Sequence, residues 1–138
     1  MGTIVVGYVP KPEGHAALRR ALAEATLRKA RLVVVNSHRG GRDLEIGSGG
    51  SVDKDLEVIR RDLDEAGIDH EVRHLVRGKD PADDLVAVAE EVGAEVIVIG
   101  LRRRSPVGKL ILGSNAQRVL LDAPCPVLAV KAEEADGG

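Results

Sequence analysis

Four short apolar runs punctuate the chain: TIVVGYV at 3–9, RLVVVNS at 31–37, EVIVIG at 95–100 and PVLAV at 126–130. Each is continuous rather than alternating and rich in valine or isoleucine, which is how strands read when helices cover both faces of a parallel sheet. A fifth run, IDHEVRHLV at 68–76, alternates between Gly67 and Gly78 and predicts another strand. Between the runs the apolar spacing turns helical. Leu18, Leu22 and Ala25 form one stripe, Leu56, Ile59, Leu63 and Ala66 a second, and Leu85, Val88, Ala89 and Val92 a third. Gly67 and Gly93 stand where helix C-terminal glycines belong, and Asp80-Pro81 reads as an N-cap followed by proline at the first helical position. A last helix is predicted at about 114–123, with Ala116, Val119 and Leu120 as its apolar positions.

Strands alternating with helices and joined by right-handed crossovers predict an α/β fold, a parallel doubly wound sheet between two helical layers. At 138 residues the chain has room for one such domain, expected over 1–132, with EEADGG at 133–138 as a disordered tail. RGGRDLEIGSGG at 39–50 holds five glycines and predicts a flexible loop after the second strand.

Charge and composition narrow the function classes. The net charge of −2 gives no global attraction for nucleic acid or an anionic membrane. One tyrosine, no phenylalanine and no tryptophan leave almost nothing on which to stack bases, which argues against reading single-stranded nucleic acid. The single cysteine, Cys125, excludes an intrachain disulfide and fits a reducing compartment; it reads as an inert thiol at a strand entrance. No apolar run approaches the ~20 residues of a membrane helix, and MGTIVVGYV lacks a signal peptide's charged leader. A cytoplasmic location is expected.

One motif misleads. His70-Glu71-Val72-Arg73-His74 matches the zinc-protease pattern H-E-x-x-H, but that chemistry needs a helix to bring the two imidazoles to one ion. On a strand, four residues span ~13 Å. His15 and His38 each follow a strand, with no serine or cysteine partner evident for either.

The chemistry concentrates in IGLRRRSPVGKLILGSN, 99–115. Gly100 closes the fourth strand, where open α/β sheets bind ligands beyond the carboxyl ends of their strands. Gly108-Lys109 is followed by Leu110, so this is no Walker A loop, and no G-x-G-x-x-G is present in it. Gly113-Ser114-Asn115 opens the last helix, and its free N–H groups with the Ser114 hydroxyl make an anion site. Gly113 lets backbone approach a phosphate closely.

With these residues on view, the chain resembles the universal stress proteins, from TIVVGYV through DPADDLVAVAEEVGAEVIVIG to GSNAQRVLLDAPCPVLAVK. The family's adenine-nucleotide signature is glycine, two residues, glycine, nine residues, then Gly-Ser or Gly-Thr. Gly100 matches the first glycine, and nine residues from Arg104 to Leu112 lead to Gly113-Ser114. The resemblance implies a five-stranded, three-layer sandwich of strand order 3-2-1-4-5. It also implies a homodimer through the last strand, here 125–131, and ATP or another adenine nucleotide as ligand, with magnesium only as the nucleotide's companion. Adenine would meet backbone near Ser37, with loop 39–50 as a lid. The implied nucleotide-binding set is Gly100, Arg103, Gly113, Ser114, Asn115, Ser37 and Val9.

Two positions depart from the family's pattern. The second signature glycine is Arg103, which either clamps phosphate or fills the cleft. The acid expected near the ribose is replaced in GYVPKPEG by Val9 and Pro10. Three functions follow: a nucleotide-responsive dimeric regulator, with Arg102, Arg103 and Lys109 supplying positive charge; a dimeric protein-interaction module without nucleotide; or an enzyme with slow ATP hydrolysis at most. Fast hydrolysis needs a positioned base and a metal-binding acid. Asp53 and Asp55, and Asp80, Asp83 and Asp84, are not expected beside Gly113. Protein partners other than a second copy are not legible.

Overall fold

The computed structural model describes residues 2–38, 49–76, 80–101 and 113–132. Continuous apolar runs become β1 (Thr3–Gly7), β2 (Arg31–His38), β3 (His70–Val76), β4 (Val96–Leu101) and β5 (Val127–Lys131). Between them lie α1 (Pro12–Arg28), α2 (Gly49–Glu65), α3 (Pro81–Val92) and α4 (Ser114–Asp122). All four pairings are parallel and the strand order is β3-β2-β1-β4-β5, as expected.

Alternation along each strand splits the core in two. Ile4, Val6, Leu32, Val34 and Val98 face α1 and α2; Val5, Val33, Val35, Ile97 and Ile99 face α3 and α4. The central strands are therefore buried on both sides, and the whole core is aliphatic apart from Tyr8. On α4, Val119 is buried but Leu120 is 42% exposed, so the predicted stripe there is narrower than its sequence suggests.

Gly67 and Gly93 end α2 and α3 in the left-handed region, with φ of +72° and +63°, as their positions predicted. Pro81 stands in the first turn of α3 after Asp80. β1 is shorter than its apolar run. The Tyr8 N–H still donates to the Val35 carbonyl (2.8 Å), but the Tyr8 carbonyl accepts from the Asn36 side-chain amide (3.0 Å), and Pro10 has no N–H to continue the ladder. Gly49 and Gly50, expected in a loop, belong to α2; the rest of that loop, 39–48, and the tail 133–138 lie outside the described residues.

β3 carries the misleading motif as a strand. His70 Nδ1 donates to the Ile68 carbonyl (2.8 Å), and Glu71 on the opposite face pairs with Arg73 and Arg31. The Glu71 carboxyl is held below its ordinary range chiefly by the Arg73 hydrogen bond. Among the described residues no three His, Cys, Asp or Glu side chains are grouped to hold a metal. No described helix is long and apolar enough to cross a membrane.

Candidate functional site

Because β1 and β4 are neighbours while their following helices cover opposite faces, a crevice opens beyond their carboxyl ends. The starts of α1, α3 and α4 converge on it. The resulting cavity is about 150 Å³. Its walls are mostly apolar, including Val35, Leu85, Ile99 and Val119, and four polar residues line it: Tyr8, Glu13, Ser37 and Asn115.

Four of the seven expected site residues meet here: Val9, Ser37, Gly100 and Asn115 line the cavity. Gly113 and Ser114 immediately precede Asn115 and are exposed. Arg103 lies outside the described residues, as do Arg102 and Lys109.

Two glycines of the expected set have different physical roles. A Cβ on Gly100 would lie 2.0 Å from the Glu13 carbonyl oxygen, so glycine is required for α1 to rest on the end of β4. Gly14 serves the same close approach from the other side, where a Cβ would lie 1.8 Å from the Val9 carbonyl oxygen. At Gly113 a Cβ would meet no atom of the described residues within 4 Å. Its φ of −72° suits any residue, so neither the packing of the described residues nor backbone conformation calls for glycine there.

Gly113 is the N-cap of α4 and has no side chain with which to cap that end. Gln117 N–H takes the first intrahelical bond, to the Gly113 carbonyl at 3.0 Å. The N–H groups of Ser114, Asn115 and Ala116 precede that bond and have no intrahelical acceptor. They carry the positive end of the helix dipole.

β2 supplies a second set of polar groups. Its peptide groups alternate: Leu32 N–H bonds toward β3, at Asp69, while the Val35 carbonyl bonds toward β1, at Tyr8. Ser37, two residues beyond Val35, therefore turns its N–H and C=O toward the β1 side, past the end of β1 at Gly7. The Ser37 hydroxyl donates to Oδ2 of Asp84 on α3, at 2.6 Å.

Sequence reading missed Glu13, an acidic residue that lines the cavity from the first turn of α1. Its signal was its place in the first turn of a helix that follows β1. The acids of α3 also fall nearer α4 than expected: Arg118 Nη1 lies 3.2 Å from Asp80 and 3.1 Å from Asp83. This shared tie links the starts of α3 and α4 and pairs one positive charge with two of the three acids. His15 is exposed on α1, its ring edge-on to Tyr8 with centroids 5.4 Å apart, and has no catalytic partner among the described residues. The side chain of His38 is outside the described residues. Cys125 is half-buried, and burial pushes its thiol pKa up, which disfavours the reactive thiolate.

The chain matches the universal stress protein family over residues 1–131. It is 41% identical over 128 residues to a universal stress protein of Mycolicibacterium smegmatis, covering 93% of this chain and 96% of the relative. Among solved structures, a universal stress protein of Archaeoglobus fulgidus is 40% identical with a TM-score of 0.74, over 95% of this chain and 99% of that one. A universal stress protein from the same organism, in complex with dAMP, is 34% identical with a TM-score of 0.70, over 95% of this chain and 98% of that one. Sheet order, cavity and relatives agree: the chain belongs to the universal stress protein family.

Proposed function

We propose that this protein is a dimeric, cytoplasmic regulatory module that binds an adenine nucleotide in the cavity beyond β1 and β4. The observation that carries the reading is the open space at Gly113 among the described residues, beside helix N–H groups that have no intrahelical acceptor, in a chain whose 34%-identical relative is found with dAMP. The base meets the Ser37 peptide groups, Glu13 takes the sugar end, and the phosphate lies at Gly113, Ser114 and Asn115. Magnesium enters only with a polyphosphate. The cavity suits binding rather than turnover, since Arg118 occupies Asp80 and Asp83.

The test is isothermal titration with AMP and with ATP and magnesium. Wild-type protein is expected to bind saturably. Gly113→Val, which fills the open space, is expected to weaken binding about a hundredfold or more while lowering the thermal midpoint only slightly, because the added side chain meets no atom of the described residues and costs only an N-cap preference. Absence of heat and of thermal shift at millimolar nucleotide would refute the reading.

Dimerisation is assigned to the free edge of β5. Ile97 N–H donates to the Pro126 carbonyl and Ala132 N–H to the Leu101 carbonyl, so even-numbered peptide groups face β4. Those of Val127, Ala129 and Lys131 face outward. Ala129→Pro removes an outward N–H without touching the β4 ladder. Light scattering is expected to show a dimer for the wild type and a folded monomer for the variant. A variant that remains dimeric removes β5 as the interface.

A further inference from the structure

The core grips α3 and α4 very unequally. α3 buries Ala82, Leu85, Val86, Val88 and Ala89, whereas Val119 is the only buried residue of α4. In the first turn of α4, Ser114 and Asn115 are exposed and Ala116 is half-buried. Packing therefore fixes α3 and leaves the direction of that turn weakly determined. Arg118, one turn after Ser114, reaches across to the start of α3. Its Nη1 donates to Asp80 Oδ2 at 3.2 Å and lies 3.1 Å from both carboxylate oxygens of Asp83. Pro81 and Ala82, between those two acids, line the cavity, as do Asn115, Ala116 and Val119 on α4. Arg118 is not a lining residue, so its tie joins the two walls from outside.

Resting on the nucleotide reading above, we infer that Arg118 is a positioning residue for the phosphate end of the ligand: anchored on Asp80 and Asp83, it aims the first-turn N–H groups of α4 without touching the ligand itself. Attraction by its charge is not the means. One guanidinium set against two carboxylates leaves a formal charge of about −1 on the three groups, which offers an anion nothing. Orientation is what the tie supplies. Helix N–H groups bind an anion that lies ahead of the helix end, and a binding group whose supporting shell is loose loses affinity. α3, held by the core, is the fixed reference from which Arg118 sets α4.

The experiment is calorimetric titration of AMP, and of adenosine, which lacks the phosphate, into wild type, Arg118→Ala, Asp83→Ala and the double variant, with each variant's folding verified by thermal unfolding. Arg118→Ala is expected to lower AMP affinity about fivefold, the scale of an exposed ion pair, and to leave adenosine affinity in place. Asp83→Ala discriminates by its sign. It removes a negative charge near the phosphate, so an arginine acting through its field would bind AMP more tightly in this variant. An arginine that positions α4 has lost its partner, and AMP is expected to bind about threefold more weakly. The double variant is expected to bind AMP no more weakly than Arg118→Ala, because both changes release the same tie. Tighter AMP binding by Asp83→Ala overturns the inference. So does unchanged AMP affinity in Arg118→Ala, or an equal loss for AMP and adenosine, the mark of a tie that only supports the fold. Wild type that binds adenosine as tightly as AMP overturns it as well, while leaving the cavity a nucleoside site. Wild type that binds neither overturns the nucleotide reading too. Should Arg118→Ala not fold, the sign of Asp83→Ala decides alone.

Discussion

Gly100→Ala is expected to lower stability by about 3 kcal/mol or more, and Gly113→Ala to change it by less than about 0.5 kcal/mol. The two residues stand in one nucleotide signature, yet their surroundings differ completely. A Cβ on Gly100 would sit 2.0 Å from the backbone oxygen of Glu13, and the nearest relief is to lift the first turn of α1 off β4. Gly14 locks that turn from its other side against Val9, so the helix cannot slide away without a second clash. For a domain of this size the loss corresponds to a fall in thermal midpoint of about 10 °C. A Cβ on Gly113 meets no atom of the described residues within 4 Å and needs no unusual backbone angle. Differential scanning calorimetry of the two alanine variants checks the contrast. Equal midpoints would show that α1 does not rest on Gly100 as described.

Tyr8 is expected to keep its proton well above the pH at which free tyrosine ionises. Its pKa is pushed from 10.0 to about 12, first by burial, then by the nearby Asp55 carboxylate and the hydrogen bond the phenol donates to it. The phenol is 3.5 Å from Asp55 Oδ2, and the side chain is 1% exposed. Since the folded pKa lies above the unfolded one, the native state retains a proton that the unfolded chain gives up. The stabilising contribution is intact below about pH 10 and is lost as pH rises toward 12. Two units correspond to about 2–3 kcal/mol. The chain has one tyrosine, so the phenolate absorbance follows this group alone. Native protein is expected to titrate near 12 and protein in denaturant near 10; coincident curves would refute the burial argument. Asp55→Asn is expected to bring the native curve down.

Much of this architecture was legible because its local and global signals agree. The valine-rich runs are strands since each central strand is covered on both faces, and Gly67 and Gly93 end helices at positive φ. The end of α1 was not legible: Lys29 takes the left-handed position at φ +54°, where no glycine announces it. In the site, Val9, Ser37, Gly100 and Asn115 could be placed because they end or follow strands, or open a helix, at the carboxyl ends of the sheet's strands. The Ser37–Asp84 bond could not, since it joins residues 47 apart across β2 and α3. Glu13 was hidden for a related reason. Its place in the cavity depends on how closely α1 packs over Gly100, and that closeness rests on two glycines distant in sequence.

The two edges of the sheet have opposite characters. β3 carries Glu71 and Arg73 in a chain of ion pairs that reaches Arg31 on β2 and Glu91 on α3. β5 is VLAVK, apolar until its final residue. Charged side chains discourage strand addition, and unpaired apolar edges invite it. In the proposed dimer, with β5 set against β5, only charged β3 edges would remain. The asymmetry would let a protomer that could seed an open-ended fibre stop at one pairing.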